Sequence, residues 1–334
     1  MARFDEFGGR PQGTDPATLR RHFGTDDVLS LWIAEPGLDV PPQLTEALTQ
    51  RAQSGRFGYE TRPEEVVGAF WDWTSARHDW QQGGLTTLIS ASVGSSIGVV
   101  IDALTEPGDG VIIQPPVFTD FKTLIVNAGR NPVRNPLRLA DGRYDLDLVH
   151  LAELAAEPTN RLLVLCNPHN PVGRVWSADE LRSVASVCEE HGVFVLADEI
   201  HADLALAPHR FVPFGSIAAG SGLRWAAAHG PIKTFGLAGV CDTLLITDDE
   251  PLAEQFSARS SQLHLTRNNV FGLTAFEVAY RLGAPWLHEL LETVAGNVAE
   301  LRAGLPGGVD LIEPEGTYLA WLDFRSLHVP VAEL

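Results

Sequence analysis

Arg161-Leu-Leu-Val-Leu-Cys166, then Asn167-Pro-His-Asn170-Pro-Val-Gly-Arg174, then a helical stretch from Ser177 to His191, then Val193-Phe-Val-Leu-Ala197 running into Asp198-Glu-Ile-His201-Ala-Asp203, form a strand, a turn, a helix and a second strand. Both apolar runs lack polar alternation, the pattern of strands buried on two faces rather than one. Ser177-Ala-Asp-Glu180 is a capping box that starts the helix, and Gly192 ends it. Outward from this unit the same alternation continues. A strand over Leu85–Ser92 leads into a helix near residues 95–105, and a strand over Gly110–Gln114 leads into a helix from Phe118 to Gly129. Further strands are expected at Leu223–His229 and Val240–Thr247, the last of the sheet. Strands alternating with helices predict an α/β fold: a mostly parallel sheet flanked by helices, with ligands at the strand carboxyl ends.

Beyond residue 270 the helices lengthen, Pro285–Leu305 among them, and Gly316-Thr-Tyr-Leu-Ala-Trp-Leu-Asp-Phe follows. This predicts a large domain over residues 43–271 and a smaller α+β domain assembled from residues 1–42 and 272–334.

Composition narrows the function. A net charge of −19 would repel a phosphate backbone, which speaks against nucleic acid as a partner. The three cysteines, Cys166, Cys188 and Cys241, have no metal-type spacing and read as core thiols in strands or a helix of a reduced cytoplasmic protein; no metal is expected. No apolar run reaches membrane-spanning length, and the Met1–Gly9 stretch lacks an apolar signal core, so a cytoplasmic location without membrane contact is expected.

The chain has two lysines. Lys122 sits among apolar residues at helical spacing and reads as a solvated side chain of an amphipathic helix. Lys233 follows an apolar strand, in Gly230-Pro-Ile-Lys233-Thr-Phe-Gly, where partial desolvation lowers an amine's pKa and prepares it to attack a carbonyl. Rarity alone carries no weight in an arginine-rich chain. The company of Lys233 does. Asp198 and His201 lie at one strand end, and Asn170 is presented by a proline-held turn after another. Ser90-Ala-Ser92-Val93-Gly94 runs from a strand straight into a helix start suited to an anion, and Phe118 stands where an aromatic side chain can stack on a planar ring. Singly, each has an ordinary reading: a salt bridge, a helix cap, a core phenylalanine. Together they meet the needs of pyridoxal 5′-phosphate: an amine for the aldehyde, a carboxylate for the ring nitrogen, donors for the phenolic oxygen and a cradle for the phosphate.

With Thr105-Glu-Pro-Gly-Asp109 and Gln114-Pro-Pro-Val-Phe118 added in order, the motif set resembles the fold-type-I pyridoxal-phosphate enzymes of the aspartate-aminotransferase superfamily, from about Trp32 to Arg325. Asn-Pro-His-Asn-Pro-Val-Gly-Arg and Asp-Glu-Ile-His-Ala-Asp look most like its cystathionine β-lyase branch. The resemblance implies Lys233 as the Schiff-base lysine and Asp198 as partner of the ring nitrogen. Asn170 and His201 would meet the phenolic oxygen, Phe118 the ring face, and Ser92, Val93 and Gly94 the phosphate. It further implies Tyr59 as the residue sent across a homodimer interface into a shared active site, and Ala34 as a backbone donor to the substrate carboxylate.

Two departures stand out. Relatives carry Ser-x-Ser before the lysine where this chain has Gly230-Pro231-Ile232, and they continue past the Trp-Leu-Asp strand to a carboxylate-binding arginine. The small domain is therefore expected to be incomplete at its C-terminus, with Arg325 making a structural ion pair. The activity the resemblance implies is a carbon–sulfur β-lyase acting on cystathionine or related cysteine conjugates, yielding a thiol, pyruvate and ammonia. The alternatives are an aminotransferase built on the same residues and a scaffold impaired in turnover.

Overall fold

The computed structural model describes residues 11–330; the Met1–Gly9 stretch lies outside them. Its strands, in chain order, are β1 (Thr86–Ser90), β2 (Gly110–Ile113), β3 (Asn131–Arg134), β4 (Arg138–Ala140), β5 (Arg143–Asp145), β6 (Asn160–Cys166), β7 (Phe194–Asp198), β8 (Trp225–His229), β9 (Thr243–Thr247), β10 (Asp310–Ile312) and β11 (Trp321–Asp323). Seven of them form one sheet in the order β1-β9-β8-β7-β6-β2-β3. β8, β7, β6, β2 and β3 are mutually parallel, whereas β9 runs antiparallel to both of its neighbours. β4–β5 and β10–β11 are separate antiparallel pairs.

The sheet is buried on both faces, as its unbroken apolar strands require. Along β6, Leu162, Val164 and Cys166 join one core with Val93, Ile97 and Phe121, while Leu163 and Leu165 join the other with Trp176, Leu181 and Val184. That alternation is the two-residue period of a strand. Each fully buried large side chain of this kind contributes about 1.5–3 kcal/mol.

The expected helices are present. Ala178–His191 begins at Ser177, whose hydroxyl accepts from the Glu180 amide while the Glu180 carboxylate accepts from the Ser177 amide, and ends at Gly192 in the left-handed region (φ 67°). Val93–Leu104, Thr119–Asn127 and Ala284–Gly304 match the helices expected near 95–105, 118–129 and 285–305. The strand expected over 240–247 starts only at Thr243, because the amides of Val240 and Cys241 are both taken by the Leu237 carbonyl in a turn. Cys241 therefore lies in that turn rather than in a strand, buried like Cys166 and Cys188.

The chain divides into two compact units at Gly37. In the first, the helix Pro16–Phe23 is capped by Asp15, and Phe23 and His22 pack on Trp32. The second, from Leu38 onward, contains the sheet and all the elements described below. Among the described residues no helix is long and apolar enough to cross a membrane, and no group of three His, Cys, Asp or Glu side chains is placed to hold a metal.

Candidate active site

Three neighbouring strands of the parallel sheet end together. Strand register sets Asp198 between Cys166 of β6 and Ala228 of β8. Just past the strands the ladder continues, with the Asn167 amide donating to the Asp198 carbonyl at 2.9 Å and the Glu199 amide to the Ala228 carbonyl at 3.0 Å. The chain segments leaving these ends carry Asn170, His201 and Lys233, so the carboxyl edge of the sheet gathers the residues expected there.

Asp198 is 5% exposed. Its Oδ1 accepts from the Ile200 amide at 3.2 Å. Burial pushes its carboxyl up to about 6, with the Ile200 amide and the Lys233 charge working against that rise. The Lys233 charge also acts on His201, whose imidazole is driven down to about 3, first by burial and then by that lysine. Lys233, half-buried in the turn after β8, is thus electrostatic neighbour to both.

The raised Asp198 pKa has a signed consequence for stability. The folded chain holds a proton that the unfolded chain has lost between about pH 4 and 6, so stability falls as pH rises through that window, and the whole cost remains above it. A shift of about two units corresponds to roughly 2–3 kcal/mol. Asp198→Asn removes the cost. In ligand-free protein, the variant's stability relative to the parent is expected to improve by roughly that amount between pH 4 and pH 7.5. Urea denaturation at the two pH values measures it, and a pH-independent difference would refute it.

His201 Nδ1 is buried with no hydrogen-bond partner among the described residues. Its ring stands edge-on to Tyr318, centroids 5.9 Å apart, and the Tyr318 hydroxyl lies 3.5 Å from the Lys233 carbonyl. Two residues beyond His201, Asp203 joins a buried network. Its Oδ2 accepts from Thr234 Oγ1 at 2.9 Å, while its Oδ1 accepts from Trp73 Nε1 at 2.9 Å and lies 2.8 Å from His78 Nε2. Burial raises the Asp203 carboxyl, but His78, Arg77 and Trp73 outweigh it and hold the group below the usual carboxylate range. Glu199 is structural: its Oε1 accepts from the Phe214 amide at 2.7 Å. Its Oε2 lies 2.7 Å from His229 Nε2.

The turn after β6 is held from several sides. Asn167 is fully used, Oδ1 accepting from the Trp176 amide and Nδ2 donating to the Val212 carbonyl. Asn170 is half-buried, and the bonds described for it are made by its backbone: its amide meets Cys166 Sγ, and its carbonyl accepts from the Phe118 amide at 3.0 Å. That bond places Phe118 beside Asn170. The Phe118 ring is 40% exposed, so the core-phenylalanine reading fails. His169 Nε2 donates to the Pro116 carbonyl at 3.0 Å, and burial drives its imidazole down to about 4, leaving it neutral.

Arg174 closes the turn. It is 1% exposed, its Nε donates to Glu315 Oε2 at 2.9 Å, its Nη2 to Glu180 Oε1 at 2.7 Å and its Nη1 to the Tyr144 carbonyl at 2.5 Å, and its guanidinium lies 4.4 Å from the Trp176 ring centre. Glu315 Oε2 also accepts from the Val175 amide, and the Glu315 and Gly316 amides donate to the Gly173 carbonyl. Gly316 has no room for a side chain: a Cβ there would fall 2.7 Å from Val175 Cγ2 and 3.1 Å from the Leu204 carbonyl oxygen. The Glu315–Tyr318 segment is thereby pressed against the turn that carries Asn170. Glu315 has no local sequence signal. Its partner Arg174 ends the Asn-Pro-His-Asn-Pro-Val-Gly-Arg string, which does not by itself point to Glu315.

The remaining residues are placed as follows. Ser92 caps Val93–Leu104, its Oγ accepting from the Ser95 amide at 3.0 Å, which leaves Val93 and Gly94 in the first helical turn with amides that have no carbonyl in their own helix to reach. The Gly230 flank is packed rather than simply empty, since a Cβ there would meet Thr243 Cγ2 at 3.0 Å. Thr243 in turn donates to the Ser90 carbonyl at 3.2 Å, and Ser90 Oγ donates to the Ser92 carbonyl at 3.0 Å. Tyr59 is not brought to this edge by anything described; it is 88% exposed, with the Arg267 guanidinium 4.7 Å from its ring centre, in an open groove of about 640 Å³ that Phe57 and Asn268 also line. Ala34 lies in the first unit. Lys122 is exposed on its helix, and Arg325 pairs with Asp323 at 2.5 Å, both as expected.

The profile of the family described as aminotransferase class I and II matches residues 26–333. The chain belongs to the class I and II aminotransferases. Among curated members, cystathionine β-lyase PatB of Bacillus subtilis (strain 168) is 38% identical over 93% of this chain and 81% of its own length. Protein MalY of Escherichia coli (strain K12) is 32% identical over 92% of this chain and 79% of its own. Among solved structures, cystalysin from Treponema denticola, which contains a pyridoxal 5′-phosphate cofactor, superimposes with a TM-score of 0.86 at 28% identity, covering 94% of this chain and 81% of that one. The sheet order with its single reversed strand is accordingly that of fold type I, as the motifs implied.

Proposed function

We propose that this class I and II aminotransferase family member is a pyridoxal 5′-phosphate-dependent carbon–sulfur β-lyase that converts cystathionine or a related cysteine conjugate into a thiol, pyruvate and ammonia. The observation that carries the reading is the buried Asp198 carboxylate in electrostatic reach of Lys233, beside the unpartnered His201 Nδ1, at the carboxyl edge of the sheet. These groups fit the cofactor. Asp198 suits a protonated ring nitrogen, since a cation beside it favours the carboxylate that burial disfavours. Neutral His201 and the Asn170 amide suit the phenolic oxygen, Phe118 the ring face, and the first-turn amides of Val93 and Gly94 with Ser92 the phosphate. Similarity to PatB supports elimination over transfer.

When bound, the cofactor supplies an electron sink for the pair left on Cα after deprotonation. Lys233 would tether the aldehyde and, once released, accept the Cα proton at Nζ. Asp198 would hold a negative charge for the cofactor's ring nitrogen. The Tyr318 ring against His201 excludes water from that imidazole. The Cβ–sulfur bond then breaks with its electron pair on sulfur, and water completes release of pyruvate and ammonia.

Tyr59, with the exposed Phe57 beside it, supports a homodimer in which Tyr59 reaches the partner's site. Sedimentation at twice the 36.2 kDa chain mass is the expected result, and a monomer at micromolar concentration would exclude it. Residues 43–271 then form the cofactor-binding domain, with 1–42 and 272–334 as the smaller one. The reaction is tested by incubating holoenzyme with a panel of cysteine conjugates. Thiol and pyruvate should appear in equal amounts. Conversion of amino acids to 2-oxo acids with no thiol would support transamination instead, and neither product would reject both.

A further inference from the structure

We propose that Asp203 is a positioning residue that fixes where Lys233 presents its amine, acting through the hydroxyl of Thr234. The inference rests on the reading of Lys233 as the cofactor lysine and extends it to two residues that do not touch the cofactor.

Lys233 sits in a turn of residues 231–240, where the Phe235 amide donates to the Pro231 carbonyl and the Leu237 amide to the Ile232 carbonyl. Those bonds close the turn on itself. They do not join it to the segment that carries Asp198 and His201. The bond from Thr234 Oγ1 to Asp203 Oδ2, at 2.9 Å between two buried side chains, makes that join. Asp203 is immobilised in turn. It lies in the short helical turn Ala202–Leu204, begun by the Ala202 amide on the Glu199 carbonyl. Its other oxygen is gripped by Trp73 Nε1 and His78 Nε2, and Arg77 Nε lies 3.3 Å away, all three from the helix Glu64–His78. Trp73 and His78 are themselves packed, Trp73 edge-on to Phe235 and His78 edge-on to Phe211.

Asp198, His201 and Asp203 therefore form a rigid span within six residues, and the residue after the lysine is bonded to its far end. A network meant only to seal the helix against the short turn would not need Thr234. Its bond to Asp203 sets the reach of Lys233 toward Asp198, and a displacement of about 1 Å at a reacting group is worth roughly 10²-fold in rate.

The two-lysine composition makes the test clean, because exposed Lys122 serves as the internal reference. Cofactor-stripped protein is mixed with pyridoxal 5′-phosphate, trapped with borohydride at intervals and mapped by peptide mass. In parallel, limiting acetic anhydride reports the reactivity of Lys233 toward a small reagent relative to Lys122, and thermal melts monitor folding. Thr234→Val is expected to slow attachment at Lys233 roughly 10-fold without lowering its acetylation, and Thr234→Ser to restore attachment to within about 2-fold of the parent. Asp203→Asn should fall between them, and it carries the test if Thr234→Val fails to fold. Attachment in Thr234→Val within 2-fold of the parent overturns the inference, as does a Thr234→Ser variant as slow as the valine form, or acetylation that falls in step with attachment. If the parent itself takes up no cofactor at Lys233, the proposed function fails first and this inference with it.

Discussion

Lys233→Ala is expected to lower β-elimination by roughly 10²–10⁴-fold through loss of the positioned base alone, with further loss because the tether is gone. The expectation follows from location. Among the two lysines, Lys233 is the one whose charge acts on the buried Asp198 and His201, while Lys122 stands exposed on the helix Thr119–Asn127. Lys122→Ala is therefore the matched control and should retain parental turnover. Borohydride-trapped cofactor should vanish from Lys233→Ala and persist in Lys122→Ala. Substantial elimination by Lys233→Ala, or trapping on Lys122 in the parent, would contradict the assignment. Added small amines are the informative supplement: partial recovery of turnover in Lys233→Ala would identify the missing function as proton transfer at Cα.

Arg174→Met is expected to destabilise the chain by about 3–5 kcal/mol, the usual result of removing one partner from a buried ion pair. The guanidinium meets Glu315, Glu180 and the Tyr144 carbonyl in three directions, and against the opposing effect of burial it helps hold both carboxylates below their usual range, at Glu315 after the Val175 amide. Without it, the cation left beside Glu315 among the described residues is the exposed Arg143, at 3.2 Å. Arg174→Lys should recover little, because a compact ammonium cannot span the three acceptors that the planar guanidinium meets through separate nitrogens. Urea denaturation at pH 7 provides the measurement, and a loss under 1 kcal/mol in both variants would show that the cluster is dispensable. The same change loosens the turn carrying Asn170, so turnover should fall even in the folded fraction.

Much of this site is legible along the chain because its parts lie at strand ends. A buried strand announces itself by an unbroken apolar run; Asp198 ends one such strand, and Asn170 and Lys233 each follow four residues after the end of another. The helix from Ser177 could be placed to the residue because a capping box is a local signal. What could not be read are bonds between distant segments. Thr234 and Asp203 are 31 residues apart and Arg174 and Glu315 are 141 apart. No periodicity connects either pair, and each member alone looks like an ordinary polar residue. The direction of β9 was hidden for the same reason, since an apolar strand reads identically parallel or antiparallel. The crowding at Gly230 also appears only when Thr243 is brought beside it from the next strand.

The reversal of β9 has a consequence for how this chain tolerates change in length. A parallel successor to β8 would have to start from the opposite edge of the sheet, reached through a crossover helix that can absorb extra residues. Because β9 runs back instead, with His229 paired to Leu244, residues 230–242 form an arch with both feet planted on adjacent strands at the edge where Asp198 lies. An added or deleted residue between His229 and Lys233 lies within four residues of a fixed foot of that arch. It is expected to move the amine of Lys233, whereas the same change in the later part of the connection between β7 and β8, beyond Asp203, can be spread over many bonds.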